Sequence, residues 1–260
     1  MGAVTTDGTV GKALSVLEQV ASAGRPVRMR ELLETSEFPK PTLYRFLQTL
    51  TNQGMLSYDP EHQTYTPGIR LVRLAHSAWS QATLAPIARP HLETLASTLR
   101  EAIHLAQMDN GQVIFIDKRQ ASTQFATLAQ AGQVAPAYCT GVGKAMLAFL
   151  PEAEREHALR QQAFLKYTDA TLTSADELLK ELDEIRIEGI AFDREEHEDG
   201  IISIAAPILT PSNRVVGSIS IATATNRHTL EELNAFRPDL VECANKIGTE
   251  AQSWQSPSHP

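Results

Sequence analysis

Long apolar runs are missing from this 260-residue chain. None approaches the ~20 residues that a membrane-spanning helix needs, so no spanning segment is expected. Cysteine is nearly absent as well. Cys139 and Cys243 stand far apart and outside any metal-binding spacing, which excludes a disulfide scaffold and suits a reducing cytoplasm. Both read as small buried hydrophobes. Met1 to Val10 have neither the basic start nor the apolar centre of a secretory signal, so a cytoplasmic location is expected. Aromatic residues are sparse at 6%, but 42% hydrophobic and 21% charged residues are ordinary for folded proteins, and the length suits two domains. Internal repeats and low-complexity stretches are absent.

An excess of positive charge is also missing, the formal net charge being -8. The acidity is uneven. Residues Met1 to Ser80 carry 8 Lys+Arg against 7 Asp+Glu, and the remainder carries 15 against 24. A nucleic-acid partner for the first part is not excluded, because phosphate binding depends on where positive charges sit rather than on their sum.

Within that first part, Val10, Ala13, Leu14, Leu17, Val20 and Ala21 repeat at helical spacing, with Gly24 as a stop. Met29, Leu32 and Leu33 suggest a second short helix. Leu43, Phe46, Leu47 and Leu50 mark the apolar face of a third, with Pro41 in its first turn and Gly54 after its end. The opposite face carries Lys40, Thr42, Tyr44, Arg45 and Gln48. Arg pairs with guanine and Gln with adenine, while Lys and Thr suit phosphates, so this face fits a recognition helix in a major groove. The plain alternative is the wet side of an amphipathic helix. Met55 to Tyr58, a turn over Asp59 to Gln63, and Thr64-Tyr65 complete a small hairpin. Three short helices and a hairpin make a winged helix-turn-helix, with His62 and Gln63 at the wing tip and Asp59 and Glu61 placed unhelpfully near phosphates.

Here the chain resembles the isocitrate-lyase-regulator (IclR) family of bacterial transcription factors. The resemblance runs through Val10 to Leu17, Phe38 to Leu47, Thr49-Leu50, Gly54-Met55-Leu56 and Tyr65 to Gly68. It continues through Glu101 to Ala106, Gly141-Val142-Gly143-Lys144-Ala145, Gly189 to Asp193, Gly200 and Ile204 to Pro207, so it covers nearly the whole chain. Glu37 stands where the family usually has Gly, and Pro67 where it has Leu. The resemblance implies an α+β protein that binds double-stranded DNA at a palindromic operator, as a homodimer or a dimer of dimers, under control of a small-molecule effector. DNA contacts would come from Lys40, Pro41, Thr42, Tyr44, Arg45 and Gln48. The expected organisation is a winged helix-turn-helix over residues 1–66, a linker helix over 67–84, a GAF-like effector-binding domain over 85–254 and a disordered tail over 255–260. The linker helix, with Ile69, Leu71, Val72, Leu74, Ala75, Ala78 and Trp79 on more than one face, would pair two subunits; by periodicity alone it is equally a core helix.

The remainder reads as mixed helices and strands. Ala102 to Met108 and Val113 to Asp117 flank Asn110-Gly111, a hairpin signal. A short helix opens near Gly143, and Ser174 and Glu177 cap another that Gly189 ends. Ile201 to Pro207 and Val215 to Ala222 are strands, and a last helix from Thr229 is interrupted at Pro238.

Gly141 to Lys144 lacks the full spacing of a phosphate loop. Its glycines either leave backbone N–H groups free to hold a carboxylate or make a tight turn packing helix on sheet. By resemblance, the effector pocket falls at Ala135, Gly141, Val142, Asp193, Ile201, Ser203 and Ser220, with Ser203 replacing a common Cys and Ala222 a frequent Ser. Without the family, Asp193 reads as a solvated acid in the run to Asp199. The expected effector is a small carboxylate or aromatic acid. Two other readings stay open: a metal-responsive regulator using Glu195, Glu196 and His197, although 194–199 reads first as a solvated charge run, and a hydrolase using Ser203 or Cys139 with His104 or His197, although no Gly-x-Ser-x-Gly elbow is present. No catalytic residue, metal or cofactor is expected.

Overall fold

The computed structural model describes residues 8–82, 84–120 and 129–253. The expected tail at 255–260 lies outside them. The chain divides between residues 81 and 82 into two compact units. Among the described residues, no helix is long and apolar enough to cross a membrane.

The first unit runs α1 (Thr9–Ser22), β1 (Val27–Arg28), α2 (Met29–Thr35), α3 (Lys40–Asn52), β2 (Leu56–Asp59), β3 (Thr64–Pro67) and α4 (Ile69–Ala82). Apolar residues at helical spacing meet in one core: Val16, Leu17 and Val20 of α1, Leu32 of α2, and Leu43, Phe46, Leu47 and Leu50 of α3. Gly24, in the left-handed region at φ +63°, ends α1, and Gly54 at φ +69° follows α3. Strand β3 lies between β1 and β2, with Tyr65 opposite both Val27 and Tyr58. α4 is pinned to the turn after α3 by backbone. Gly68 N–H donates to Met55 O at 2.8 Å and Arg70 N–H to Gly54 O at 3.2 Å, while the Arg70 guanidinium reaches Gln53 O at 3.0 Å. Only glycine permits this approach, since a Cβ on Gly68 would lie 2.2 Å from Gly54 O.

The second unit runs α5 (Ala85–Leu99), β4 (Ala102–Asp109), β5 (Gln112–Gln120), β6 (Val134–Pro136), α6 (Gly141–Phe149), α7 (Glu152–Arg160), α8 (Ala175–Glu188), β7 (Ala191–Arg194), β8 (Ile201–Leu209), β9 (Val215–Ala224), α9 (Leu230–Asn234) and α10 (Arg237–Glu250). Its six-stranded sheet, in the order β6-β5-β4-β9-β8-β7, is antiparallel throughout. The fold is α+β, as expected. α5 and α10 pack on one face, and α6, backed by α8, on the other. Every residue of α6 from Gly141 to Ala148 is buried, so this helix is a wall of the core rather than an amphipathic cover.

Two element expectations need correction. The final helix is not one element interrupted at Pro238: α9 is capped by Thr229, and Pro238 sits in the first turn of a separate α10, where its missing N–H costs nothing. The helix expected near Gly143 opens at Gly141, so both glycines lie inside its first turn.

Gly68→Ala is expected to destabilise the first unit, because backbone and not a flexible side chain must move to admit the methyl. A loss of about 1–3 kcal/mol is the usual scale for overpacking. Circular dichroism melts of the variant and the parent check this; equal melting would show that the contact relaxes freely.

Candidate functional site

On α3, the buried face holds the helix down and the other face stands out. Lys40, Pro41, Tyr44, Arg45 and Gln48 are exposed, and Thr42 is half-buried. Pro39 caps the helix start, its carbonyl accepting from Thr42 N at 2.9 Å and Leu43 N at 3.0 Å. Gln48 Nε2 lies 3.5 Å from Tyr44 Oη, one helical turn away. All six residues expected to meet DNA therefore lie on α3, five of them exposed.

On the wing, Asp59 is an exposed acid whose carboxylate is engaged within its own turn. Its Oδ1 accepts from Glu61 N at 2.9 Å and His62 N at 3.3 Å, and its Oδ2 lies 2.7 Å from His62 Nδ1. The His62 partner holds the Asp59 carboxyl below the usual carboxylate range. Arg28 Nε, from β1, donates to His62 O at 3.4 Å and ties the wing tip to the helices. Arg28 escaped the sequence reading because nothing local links it to residue 62.

In the second unit, one cavity gathers all seven residues expected around the effector: Ala135, Gly141, Val142, Asp193, Ile201, Ser203 and Ser220. Sheet register explains the grouping. Asp193, Ser203 and Ala222 lie in one cross-strand row, and Ser220 and His104 in the next. The first turn of α6 crosses these rows. Thr140, its N-cap, spends its hydroxyl on Pro136 O at 2.8 Å, so no side chain caps the first-turn N–H groups. The glycines themselves serve packing: a Cβ on Gly141 would lie 2.8 Å from Ser203 Oγ, and one on Gly143 2.4 Å from Ala137 O. The tight-packing account of these glycines is thus correct for their side-chain positions, while their N–H groups remain available to a ligand.

Sequence reasoning did not place Phe115, Gln133, Thr140 or Glu198 at this cavity, and it considered His104 only for catalysis and His197 for catalysis or metal binding; all six line it. Strand alternation was the available signal for His104, a polar residue on the inward face of an apolar strand. Burial drives the His104 imidazole down to about 3, with Lys118 adding to the effect, so the ring is neutral. Its Nδ1 lies 3.5 Å from Ser220 Oγ, and its ring packs edge-on against Phe115 at 5.5 Å.

Nor is the acidic run after Asp193 a solvated charge run. Asp193 is 7% exposed and Glu196 3%. Glu196 Oε1 bonds the ammonium of Lys144, which is wholly buried on α6 and also lies 2.8 Å from Glu181 on α8. Arg194 joins Glu181 at 2.8 Å. Glu196 N–H donates to Asp193 Oδ1 at 2.8 Å, and the hydroxyls of Thr168 and Thr171 hold the Glu195 and Glu196 carbonyls at 2.7 and 2.6 Å. Burial, with Glu196 nearby, pushes Asp193 up to about 7. Burial also raises the Cys139 thiol well above its ordinary value, so it is no nucleophile. Among the described residues, no group of three or more His, Cys, Asp or Glu is placed to hold a metal ion.

Comparison with known proteins agrees with this division of labour. The IclR helix-turn-helix domain model matches residues 9–60, and the model for the bacterial transcriptional regulator IclR C-terminal domain matches residues 76–249. The chain is 28% identical over 232 residues to the HTH-type transcriptional regulator XynR of Escherichia coli K12, covering 89% of this chain and 92% of that one. The crystal structure of the Thermotoga maritima IclR superposes with TM-score 0.76 at 26% identity, over 94% of this chain and 98% of that one. An IclR homologue from Microbacterium hydrocarbonoxydans, solved with 4-hydroxybenzoate, gives TM-score 0.79 over 95% of this chain and 100% of that one; at 20% identity it shows the fold alone.

The buried ion pair supplies a direct test. Lys144→Met strands Glu196 without its cation and is expected to cost about 3–5 kcal/mol. Lys144→Met with Glu196→Leu should recover much of that loss in denaturant unfolding. A double variant no more stable than the single one would mean that the two charges are not coupled.

Proposed function

The chain belongs to the IclR family of bacterial transcriptional regulators, and from that premise we propose that it reads a palindromic operator as a homodimer and answers to a small carboxylate or aromatic acid held in the cavity beside α6. The observation that carries the DNA reading is the α3 surface: Lys40, Tyr44, Arg45 and Gln48 raised over the buried Leu43, Phe46, Leu47 and Leu50. One such helix spans few base pairs, so a two-fold pair of subunits reads two half-sites. α4 supports the pairing. Ile69 is 75% exposed, Val72 62% and Leu74 50%, an apolar surface that a second copy of the chain would cover. Pairing of dimers into tetramers adds no residue to this scheme. The protein would act in the cytoplasm, where its operator lies.

The ligand reading rests on the uncapped N–H groups of α6 facing Ser203, Ser220 and apolar walls, and the 4-hydroxybenzoate complex of the homologue supports an aromatic acid by analogy. We read the cavity as a sensor and not a catalytic centre, because a histidine held near 3 is too weak a base to activate Ser220. The cavity measures about 50 Å³, against ~30 Å³ for each water of the liquid. On this reading a bound ring parts the walls. Empty and occupied sensor domains would then differ in shape, as two-state control requires.

Arg45→Ala should weaken binding to the promoter region of the protein's own gene by about 1–3 kcal/mol in a mobility-shift assay. Thermal stabilisation by benzoate or 4-hydroxybenzoate should persist in that variant. Loss of both would assign Arg45 to the fold, and stabilisation of the parent only by cations or neutral sugars would defeat the acid reading. For the dimer, Val72→Glu is expected to give monomers by light scattering; an unchanged mass would place the subunit contact elsewhere.

A further inference from the structure

The cavity would set a ligand carboxylate beside a carboxyl group that the protein already keeps there. Asp193 sits on the edge strand β7, opposite Ser203, and is 7% exposed. The first turn of α6 passes close by: the Cβ position of Gly141 lies 3.4 Å from Asp193 N and 2.8 Å from Ser203 Oγ. Asp193 itself lines the cavity beside this turn, so a carboxylate accepting from the α6 amides shares the cavity with it.

The Lys144 charge and N–H bonds from Glu196 and His197 favour an ionised Asp193, but burial and the Glu196 charge outweigh them. On α6, Lys144 is committed to Glu196 and Glu181, and before it Cys139 stays a protonated thiol. On the turn after β7, Glu196 and Glu198 add negative charge, and burial lowers His197 toward its neutral form. On β4, His104 is neutral. On β5, Lys118 Nζ donates a hydrogen bond to Ala129 O at 3.1 Å, and the residue faces Glu198. Among the described residues, no cation forms an ion pair with Asp193.

We infer that the cavity takes a monocarboxylate together with one proton, and that Asp193 carries this proton, donating a hydrogen bond while the ligand carboxylate accepts from the N–H groups of residues 141–143. The physical ground is that two carboxylates in one low-dielectric site do not both stay ionised. The inference rests on the carboxylate reading of the cavity and adds to it the protonation state of the site and the charge of the pair. Burial and Glu196 already push Asp193 up to about 7. Below that pH the proton is in place before the ligand arrives. Above it the proton is drawn from solvent, so affinity falls as pH rises, by about tenfold per unit.

Calorimetric titration of the full chain with acetate, benzoate and 4-hydroxybenzoate, at pH 6, 7 and 8 in two buffers of different ionisation heat, reads the proton count directly. About one proton taken up per bound acid is expected at pH 8, falling toward none at pH 6, with the Kd rising about fivefold between pH 7 and 8. Asp193→Asn, whose amide donates at every pH, should bind about tenfold tighter than the parent at pH 8 and show neither proton uptake nor slope. If none of the three acids binds, or if the cavity-filling Ser203→Leu binds them as well as the parent does, the carboxylate reading fails and the inference falls with it. If the acids bind the parent at pH 8 without taking up a proton, or if the Asn variant keeps the slope, the inference alone is overturned. The parent's proton count decides the matter even if the Asn variant does not fold.

Discussion

The sensor half of the molecule depends on one contact, the buried ion pair between Lys144 and Glu196. Removing both charges from water is costly, and the pair is tolerable only because its geometry is fixed on several sides. α6 brings Lys144 into range because Gly141 and Gly143 let the helix settle onto Ser203 and Ala137 without a Cβ between them. Glu196 in turn organises the segment behind it. Its carboxylate accepts from Arg194 N at 3.3 Å, its N–H holds Asp193, and Glu195 takes the left-handed conformation at φ +63° that the turn demands. The position of Asp193 in the cavity therefore follows from packing that involves no ligand. The same burial that makes the pair necessary also moves Asp193 toward neutrality.

The first unit shows the same logic in backbone instead of charge. α4 is attached to the end of α3 by main-chain hydrogen bonds and by the bare approach of Gly68 to Gly54. Side chains at such a joint would supply slack, since their rotamers can absorb small displacements. Main chain against main chain supplies little, so α3 and the start of α4 move as one piece. Arg70, bound to Gln53, reinforces this joint. An apolar helix rigidly fixed to a recognition helix is suited to converting the spacing of two subunits into the spacing of two reading surfaces.

Much of the first unit was legible because its signals are local. Apolar spacing gave α1, α2 and α3, and turn chemistry gave the wing. The contacts of the Asp59 side chain with Glu61 and His62 were not legible, since they depend on turn geometry that residue type alone does not reveal. In the second unit the distances along the chain are longer. The acidic run looked solvated because its partner, Lys144, lies 52 positions earlier and its hydroxyl donors, Thr168 and Thr171, sit on a separate loop. The seven cavity residues were reached through family resemblance and not through periodicity, which shows a strand's faces but not which strands lie side by side. Phe115 and Glu198 carried no such resemblance and were missed. Both stand in the cavity wall.

An effector shifts operator affinity only by the difference between its affinities for two states of the protein. A shift from nearly all of one state to nearly all of the other needs ~5.5 kcal/mol of such difference. The cavity is small, about 50 Å³, so in the proposed scheme a ring binds an arrangement with parted walls more tightly, and the interactions made there supply the difference. Hydrogen bonds to a charged group are worth ~1.5–3 kcal/mol each, and two or three to amides and serine hydroxyls reach the required scale. Control then resides in what keeps the walls together. Tyr167 packs on His197 at 5.4 Å, and Thr168 and Thr171 clasp the carbonyls before it. The energy needed to part these contacts is subtracted from every ligand alike. In the proposed scheme the loop that holds the segment after β7 would set how sensitive the sensor is, and the cavity floor which ligand it takes.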